Sequence, residues 1–300
     1  MEYSFPHYLL AKQSVDDRAL NWHVYQTLLA NLPAGPIRII EVGAGIGSML
    51  ARLLRWGTLS RAEYVLVDEM DENIQYAADW LPRVALELHL HVEHPAPGQL
   101  RLWDASHDVL VTFQTADVFD FIHTRPAPAD LLIAHAFLDL LPMPASLGEL
   151  FSLLRPTGLG WLTINFDGVT SLEPTIDSAL DQHIERLYHH SMDTRPTGGD
   201  SQAGRHLFSH IRSVGAEILA AGASDWVVHA IARRYPLEEA YFLHFILHFF
   251  ELSLRGHPDL DAAQFENWLA QRREQITRGE LVYIAHQTDF LVKLNGSNSV

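Results

Sequence analysis

No cysteine occurs among the 300 residues, so disulfides, thiolate zinc sites, iron–sulfur clusters and a thiol nucleophile are all excluded. Cationic side chains are scarce as well: 21 Lys and Arg stand against 37 Asp and Glu, a formal net charge of −16. A field of that sign repels phosphate backbones and anionic lipid, which makes nucleic acid an unfavourable partner. No apolar run approaches the roughly 18 residues needed to span a bilayer. The opening Met1-Glu2-Tyr3-Ser4-Phe5-Pro6 has neither the basic region nor the apolar stretch of a signal peptide. What is present, 48% hydrophobic and 19% charged, suits a globular chain of two domains or one elaborated domain. The expectation is a cytoplasmic enzyme or binding protein with no nucleic-acid and no membrane partner.

Apolar runs of strand length alternate with longer helical patterns through the first half, the sign of parallel βαβ units and an α/β fold. Ile37-Arg38-Ile39-Ile40-Glu41-Val42 ends in glycines and leads into Met49-Leu50-Ala51-Arg52-Leu53-Leu54, apolar at helical spacing. Tyr64-Val65-Leu66-Val67 is a second strand ending at Asp68, followed by a helix from Asp71 to about Leu90. A hairpin with arms near Gln99 to Trp103 and Val109 to Thr115 comes next. Leu131 to Ala134, a helix from Ser146 to Leu154 and Gly160 to Asn165 complete five strands. Residues 169–203 are polar and carry the loop Thr197-Gly198-Gly199-Asp200-Ser201, so they read as an insertion. A helix over 204–221, a strand over 225–231, a helical stretch over 236–278 and a last strand from Glu280 to Val292 follow. Residues 7–30 form one or two helices ahead of the first strand.

Between the first strand and its helix lies Glu41-Val42-Gly43-Ala44-Gly45-Ile46-Gly47. A turn without side chains lets backbone approach a ligand closely. The dinucleotide fingerprint wants glycines at G-x-G-x-x-G; here they fall at 43, 45 and 47, and position 48 is Ser.

An acidic residue two places before G-x-G-x-G resembles the first motif of class I S-adenosylmethionine-dependent methyltransferases. The resemblance extends to Asp68, to Ala116-Asp117-Val118, to Phe137-Leu138-Asp139-Leu140-Leu141-Pro142, and to Leu153-Leu154-Arg155-Pro156, about half the chain. It implies a seven-stranded, mostly parallel Rossmann-like sheet with helices on both faces and an antiparallel last strand. The cofactor domain would comprise residues 35–168, 204–232 and 279–295, with a helical cap over 1–34 and acceptor-side insertions at 169–203 and 236–278. It also implies S-adenosyl-L-methionine as cofactor and S-adenosyl-L-homocysteine as product. The binding set is then Glu41 for the cationic end, Gly43, Ala44, Gly45 and Gly47 in the turn, Asp68 accepting both ribose hydroxyls, and Glu69 beside it. Asp117 and Val118 fall to the adenine, and His135 and Phe137 to the end of strand four. Plainer roles stay open: Glu41 orienting the turn, and Asp117 or Asp68 capping a helix.

In such sheets ligands lie beyond the carboxyl ends of the strands, so the acceptor would meet Tyr8, Lys12, Asp17, Arg18, Asn165, Asp167, Tyr188, His189 or His286. The run Asp16-Asp17-Arg18 has a capping and salt-bridge reading too. Methyl transfer by in-line displacement to an O, N or C nucleophile of a small molecule can rest on alignment alone. If a general base exists, His135 or His189 suits neutral pH by residue type. Eighteen histidines include i, i+4 pairs at His206/His210 and His244/His248, but neither carries H-E-x-x-H, and no metal site is expected. The stretch 241–250 is apolar nearly all round, as packing in a cap or in a homodimer interface requires. An NAD(P)-type oxidoreductase and a non-catalytic binding or dimerisation protein are the competing readings.

Overall fold

Parallel strands buried on both faces read as near-continuous apolar runs, and the elements follow that rule through the first half. In the computed structural model, which describes residues 3–196 and 198–296, two helices come first: α1 (Phe5–Ala19) and α2 (Trp22–Asn31). The Asn21 side chain caps α2 by accepting from Val24 N at 3.1 Å. The alternation then starts: β1 (Ile37–Val42), α3 (Ser48–Arg55), β2 (Arg61–Asp68), α4 (Asp71–Glu87), β3 (His91–Glu93), β4 (Gln99–Trp103), β5 (Asp108–Thr115), α5 (Val118–His123) and β6 (Ala129–His135). A 3-10 turn (Leu138–Leu140), α6 (Ala145–Phe151) and β7 (Leu154–Glu173) follow. The remainder is α7 (Ser178–Asp193), α8 (Ala203–Ser213), β8 (Ala216–Ala223), β9 (Trp226–Val228), α9 (Glu239–Leu254), α10 (Ala262–Thr277) and β10 (Val282–Leu294).

One sheet carries all ten strands found among the described residues, with the path β3-β4-β5-β2-β1-β6-β7-β10-β8 and β9 on the start of β10. The frame β5-β2-β1-β6-β7 is parallel throughout, and β10 enters antiparallel between β7 and β8. Three strands exceed the expected seven: β3 and β4 extend one edge as antiparallel ribbons, and β9 is an offshoot. Alternate side chains face opposite layers. Ile39, Tyr64, Leu66, Leu131 and Ile133 pack with the N-terminal helices, α3, α4, α9 and α10, while Ile40, Val65, Val67, Leu132 and Ala134 pack with α5, α6 and α8.

Two expectations need correction. The helix expected over 204–221 stops at Ser213, where Gly215 takes φ +76°, and residues 216–223 form β8, the outermost strand of the frame. Ala-rich Ala216-Glu217-Ile218-Leu219-Ala220-Ala221-Gly222-Ala223 has helical composition, but pairing with β10 decides its conformation. The expected strand over 225–231 shrinks to β9. In addition, β7 continues far beyond Asn165 to Glu173, because β10 pairs with it all the way from Leu159 to Glu173.

The apolar α9 is accounted for inside the chain. Phe242, Leu243, Phe245, Ile246, Leu247 and Phe250 are buried, and the helix packs on α1, α7 and α10, so its hydrophobicity does not require a second copy. Among the described residues no helix is long and apolar enough to cross a membrane.

Candidate functional site

The glycine turn closes one end of a cavity of about 650 Å³ at the carboxyl ends of β1, β2 and β6, a volume within the usual range for small-molecule sites. Gly43 and Gly45 adopt φ +60° and +55°, a region L side chains avoid. A Cβ at Gly43 would lie 2.2 Å from the Phe137 ring, and one at Gly45 would lie 2.8 Å from Leu9. Bare backbone is therefore a packing requirement, and Gly43, Ala44 and Gly45 all face the cavity. Gly47 does not: it precedes α3 and sits against Leu66 and Leu81.

Asp68, at the end of β2, is 8% exposed and lines the cavity. Its Oδ2 accepts from Gly45 N at 2.8 Å, and its Oδ1 accepts from Met70 N and Asn73 Nδ2, each at 3.0 Å. Three donors occupy most of the roughly four lone-pair positions of a carboxylate, so Asp68 pins the turn to the head of α4 and keeps room for about one more donor. Glu69, exposed beside it, also lines the cavity. Asp117 caps α5 through Oδ1, accepting from Phe119 N at 2.8 Å and Asp120 N at 3.3 Å. Its Oδ2 has no partner among the described residues, and Asp117 and Val118 both border the cavity. Glu41 is 2% exposed and accepts from the Tyr64 hydroxyl at 2.7 Å. Burial pushes its carboxyl up to about 8, against the opposing pull of Tyr64 and Arg52.

At the junction with the cap, a buried polar cluster joins α1, β6 and β9. Asp16 Oδ2 accepts from Lys12 Nζ at 2.7 Å and contacts His135 Nε2 at 2.9 Å, while Oδ1 accepts from Trp226 Nε1 at 2.9 Å. Burial alone would raise the Asp16 carboxyl, but Lys12 and His135 outweigh it and hold it well below the ordinary carboxylate range. His135 Nδ1 meets Thr163 Oγ1 at 2.8 Å. Both ring nitrogens are thus engaged by protein partners, and burial lowers the imidazole to about 4. The conditional expectation of a general base at His135 thus meets a neutral ring held on both sides. His189 stands one step back: it does not line the cavity but touches, through Nε2 at 3.0 Å, the Thr170 hydroxyl of a residue that does.

Beyond the cluster the wall is aromatic, with Tyr8, Phe166, Tyr188, Trp226, Phe249 and Tyr283 on six separate elements. Of the expected acceptor residues, Tyr8, Lys12 and Tyr188 are there. Arg18 is not: its guanidinium donates to both Glu239 carboxylate oxygens on α9, at 2.6 and 2.9 Å. Asn165 is fully buried and donates to Thr288 O at 2.8 Å, tying β7 to β10. Asp167 is held by Arg205, His286 by Asp225, and Asp17 by Arg52. Asp16, Asp139, Thr170, Arg195, Trp226 and Gln287 line the cavity without having been singled out for it. Only Asp16 left a usable trace, an acid four residues after a lysine on one helix.

Two of the eight non-glycine residues with positive φ among the described residues lie at the cavity. Ala136, just after β6, and Ile164, within β7, take φ +51° and +58° and both face the cavity. For a β-branched residue this is a true outlier, of the kind that clusters at functional sites. Ile164 is held there by its N–H donating to Asp289 Oδ1 at 2.7 Å, while Asp289 Oδ2 accepts from Asn21 N at 2.8 Å. Among the described residues no cluster of three or more His, Asp or Glu is placed to hold a metal ion.

No protein-family model and no curated protein sequence matches the chain. Solved structures do match in shape. A candidate methyltransferase of Bacillus halodurans C-125 aligns with a TM-score of 0.51 at 9% identity, over 92% of this chain and 100% of its own. A candidate sarcosine dimethylglycine methyltransferase of Galdieria sulphuraria gives 0.44 at 12% identity, over 96% and 86%. A phosphoethanolamine N-methyltransferase of Haemonchus contortus, solved with phosphomonomethylethanolamine and S-adenosylhomocysteine, gives 0.45 at 11% identity, over 98% of this chain and 58% of its own. With its strand order, its antiparallel β10 and its glycine turn after β1, the chain has the fold of the class I methyltransferases.

Proposed function

We propose that the protein is an S-adenosylmethionine-dependent methyltransferase acting on a small molecule. The observation that carries this reading is the side-chain-free turn at 43–45, facing a cavity that also reaches Asp68, Glu69 and Asp117. The turn would receive the amino-acid part of the cofactor, with Glu41 behind it as the acidic partner of a cationic group. One ribose hydroxyl suits the remaining lone pair of Asp68 and the other suits Glu69. The free Oδ2 of Asp117 and the N–H of Val118, at a helix start where donors are unsatisfied, suit an adenine edge. The cofactor supplies a sulfonium-activated methyl group, which leaves a neutral thioether and needs no acid on the leaving side. The chain's own task is alignment and exclusion of water, consistent with a cavity junction that holds no free imidazole.

Isothermal titration with S-adenosylhomocysteine tests the reading. Saturable binding is expected, and no heat at about 1 mM, a concentration where even weak ligands register, would refute it. Asp68→Ala should weaken binding by about 1–3 kcal/mol, because a charged acceptor is lost and the turn loses its tether to α4; unchanged affinity would remove Asp68 from the cofactor site.

A further inference from the structure

The Lys12 ammonium, 5% exposed, lines the cavity beside the end of β6. Its hydrogen bond to Asp16 uses one of three N–H donors, and its charge lies 5.2 Å from the centroid of the Trp226 ring. Asp16 has less to offer a ligand, since Trp226, Lys12 and His135 take three of its roughly four lone-pair positions. At this junction two unused Lys12 donors therefore stand against about one remaining Asp16 lone pair. An incoming oxyanion would be stabilised there; an ammonium would meet a like charge and a carboxylate already paired. The aromatic wall just beyond suits the ring of such a ligand.

We propose that the acceptor is an aromatic compound with an acidic hydroxyl, bound as its oxyanion against Lys12. This rests on the methyltransferase reading of the same cavity. The hydroxyl proton goes to solvent as the ligand ionises, so no protein base is required. The charged and titratable groups around Lys12 are Asp16 on its own helix, His135 on β6, Arg52 on α3, and Asp139 and Arg195 across the cavity. Asp139, whose carboxylate makes no hydrogen bond or ion pair to another side chain among the described residues, is the feature across the cavity that would favour an amine instead.

4-Nitrophenol, whose oxyanion absorbs at longer wavelength than the neutral form, reads the ionisation directly, and 4-nitrobenzylamine serves as the cationic competitor of similar ring size. With full-length protein saturated in S-adenosylhomocysteine, bound nitrophenol should ionise at a pH lower than free nitrophenol by about one unit or more. It should also bind more tightly than the amine. Lys12→Met should abolish the shift; the double variant Lys12→Met, Asp16→Asn, which leaves no lone buried charge, should do the same if the single variant fails to fold. No saturable nitrophenol binding, ionisation at the free value or above, tighter binding of the amine, or a shift that survives the double variant would each overturn the proposal. Failure of S-adenosylhomocysteine to bind would instead sink the methyltransferase reading, and the nitrophenol titration without it still decides the oxyanion site.

Discussion

At pH 7 the Glu41 carboxyl keeps its proton, because burial lifts it to about 8. An unfolded chain would release that proton near the ordinary 4.5. Between those two values the folded state binds more protons than the unfolded one, so this group's contribution to stability is whole below about 4.5 and drains away as pH rises to about 8. Glu41→Gln keeps an oxygen for the Tyr64 hydroxyl and removes the titration. Its melting temperature should gain on that of the native chain steadily from about pH 5 to about pH 8, and a constant gap over that interval would show that the carboxyl is not neutral when buried. A cation arriving beside Glu41 would favour ionisation, so binding near neutral pH should release a proton. Titration heats should then differ between buffers of different ionisation enthalpy, and should lose that difference in Glu41→Gln. Residue identities of this kind were readable from local motif alone: the acid, the bare turn and the acid ending β2 lie within one βαβ unit, where sequence distance and spatial distance agree.

At the scale of elements, legibility followed how locally each segment's fate is decided. β1, β2 and β6 announce themselves because burial on two faces demands unbroken apolar runs. β8 does not, since nothing in its alanines opposes helix and only the β10 partner selects a strand. The aromatic half of the cavity was harder still. Tyr8, Trp226, Phe249 and Tyr283 converge from four elements that only tertiary packing brings together, whereas Arg18, Asn165 and Asp167, as plausible by residue type, are consumed in tying α1 to α9, β7 to β10 and β7 to α8. Asp289 shows how much such ties matter. It satisfies the backbone of Ile164 on β7 and of Asn21 ahead of α2, and burial raises its own carboxyl to about 6. Asp289→Ala should cost about 3 kcal/mol or more in urea denaturation, given that each buried N–H left unpaired costs about 1–3 kcal/mol. A loss below about 1 kcal/mol would mean that Ile164 holds its left-handed conformation without help.

For the whole molecule, α9 and α10 share a continuous apolar cluster with β1, β2 and β6, so helices and sheet should unfold as one cooperative body. Removing a buried ring from that cluster, as in Phe250→Ala, should cost about 3–5 kcal/mol and lower a single thermal transition. The transition temperature should not vary with protein concentration. Concentration-dependent melting, or two separate transitions, would show that α9 is stabilised by a second copy or that the cap unfolds alone.

The placement of β10 bears on how the protein comes into being. It is the tenth strand in chain order, yet it wedges between β7 and β8, and it brings Tyr283 and Gln287 to the wall of the cavity. On the ribosome, β7 must wait with an open edge, and β8 and β9 without a sheet partner, until this segment emerges, and pairings so distant in sequence form slowly. A ligand meant for the aromatic compartment thus has nothing complete to bind until synthesis has passed residue 287, and interruption before that point would leave adhesive β7 and β8 margins in place of a pocket.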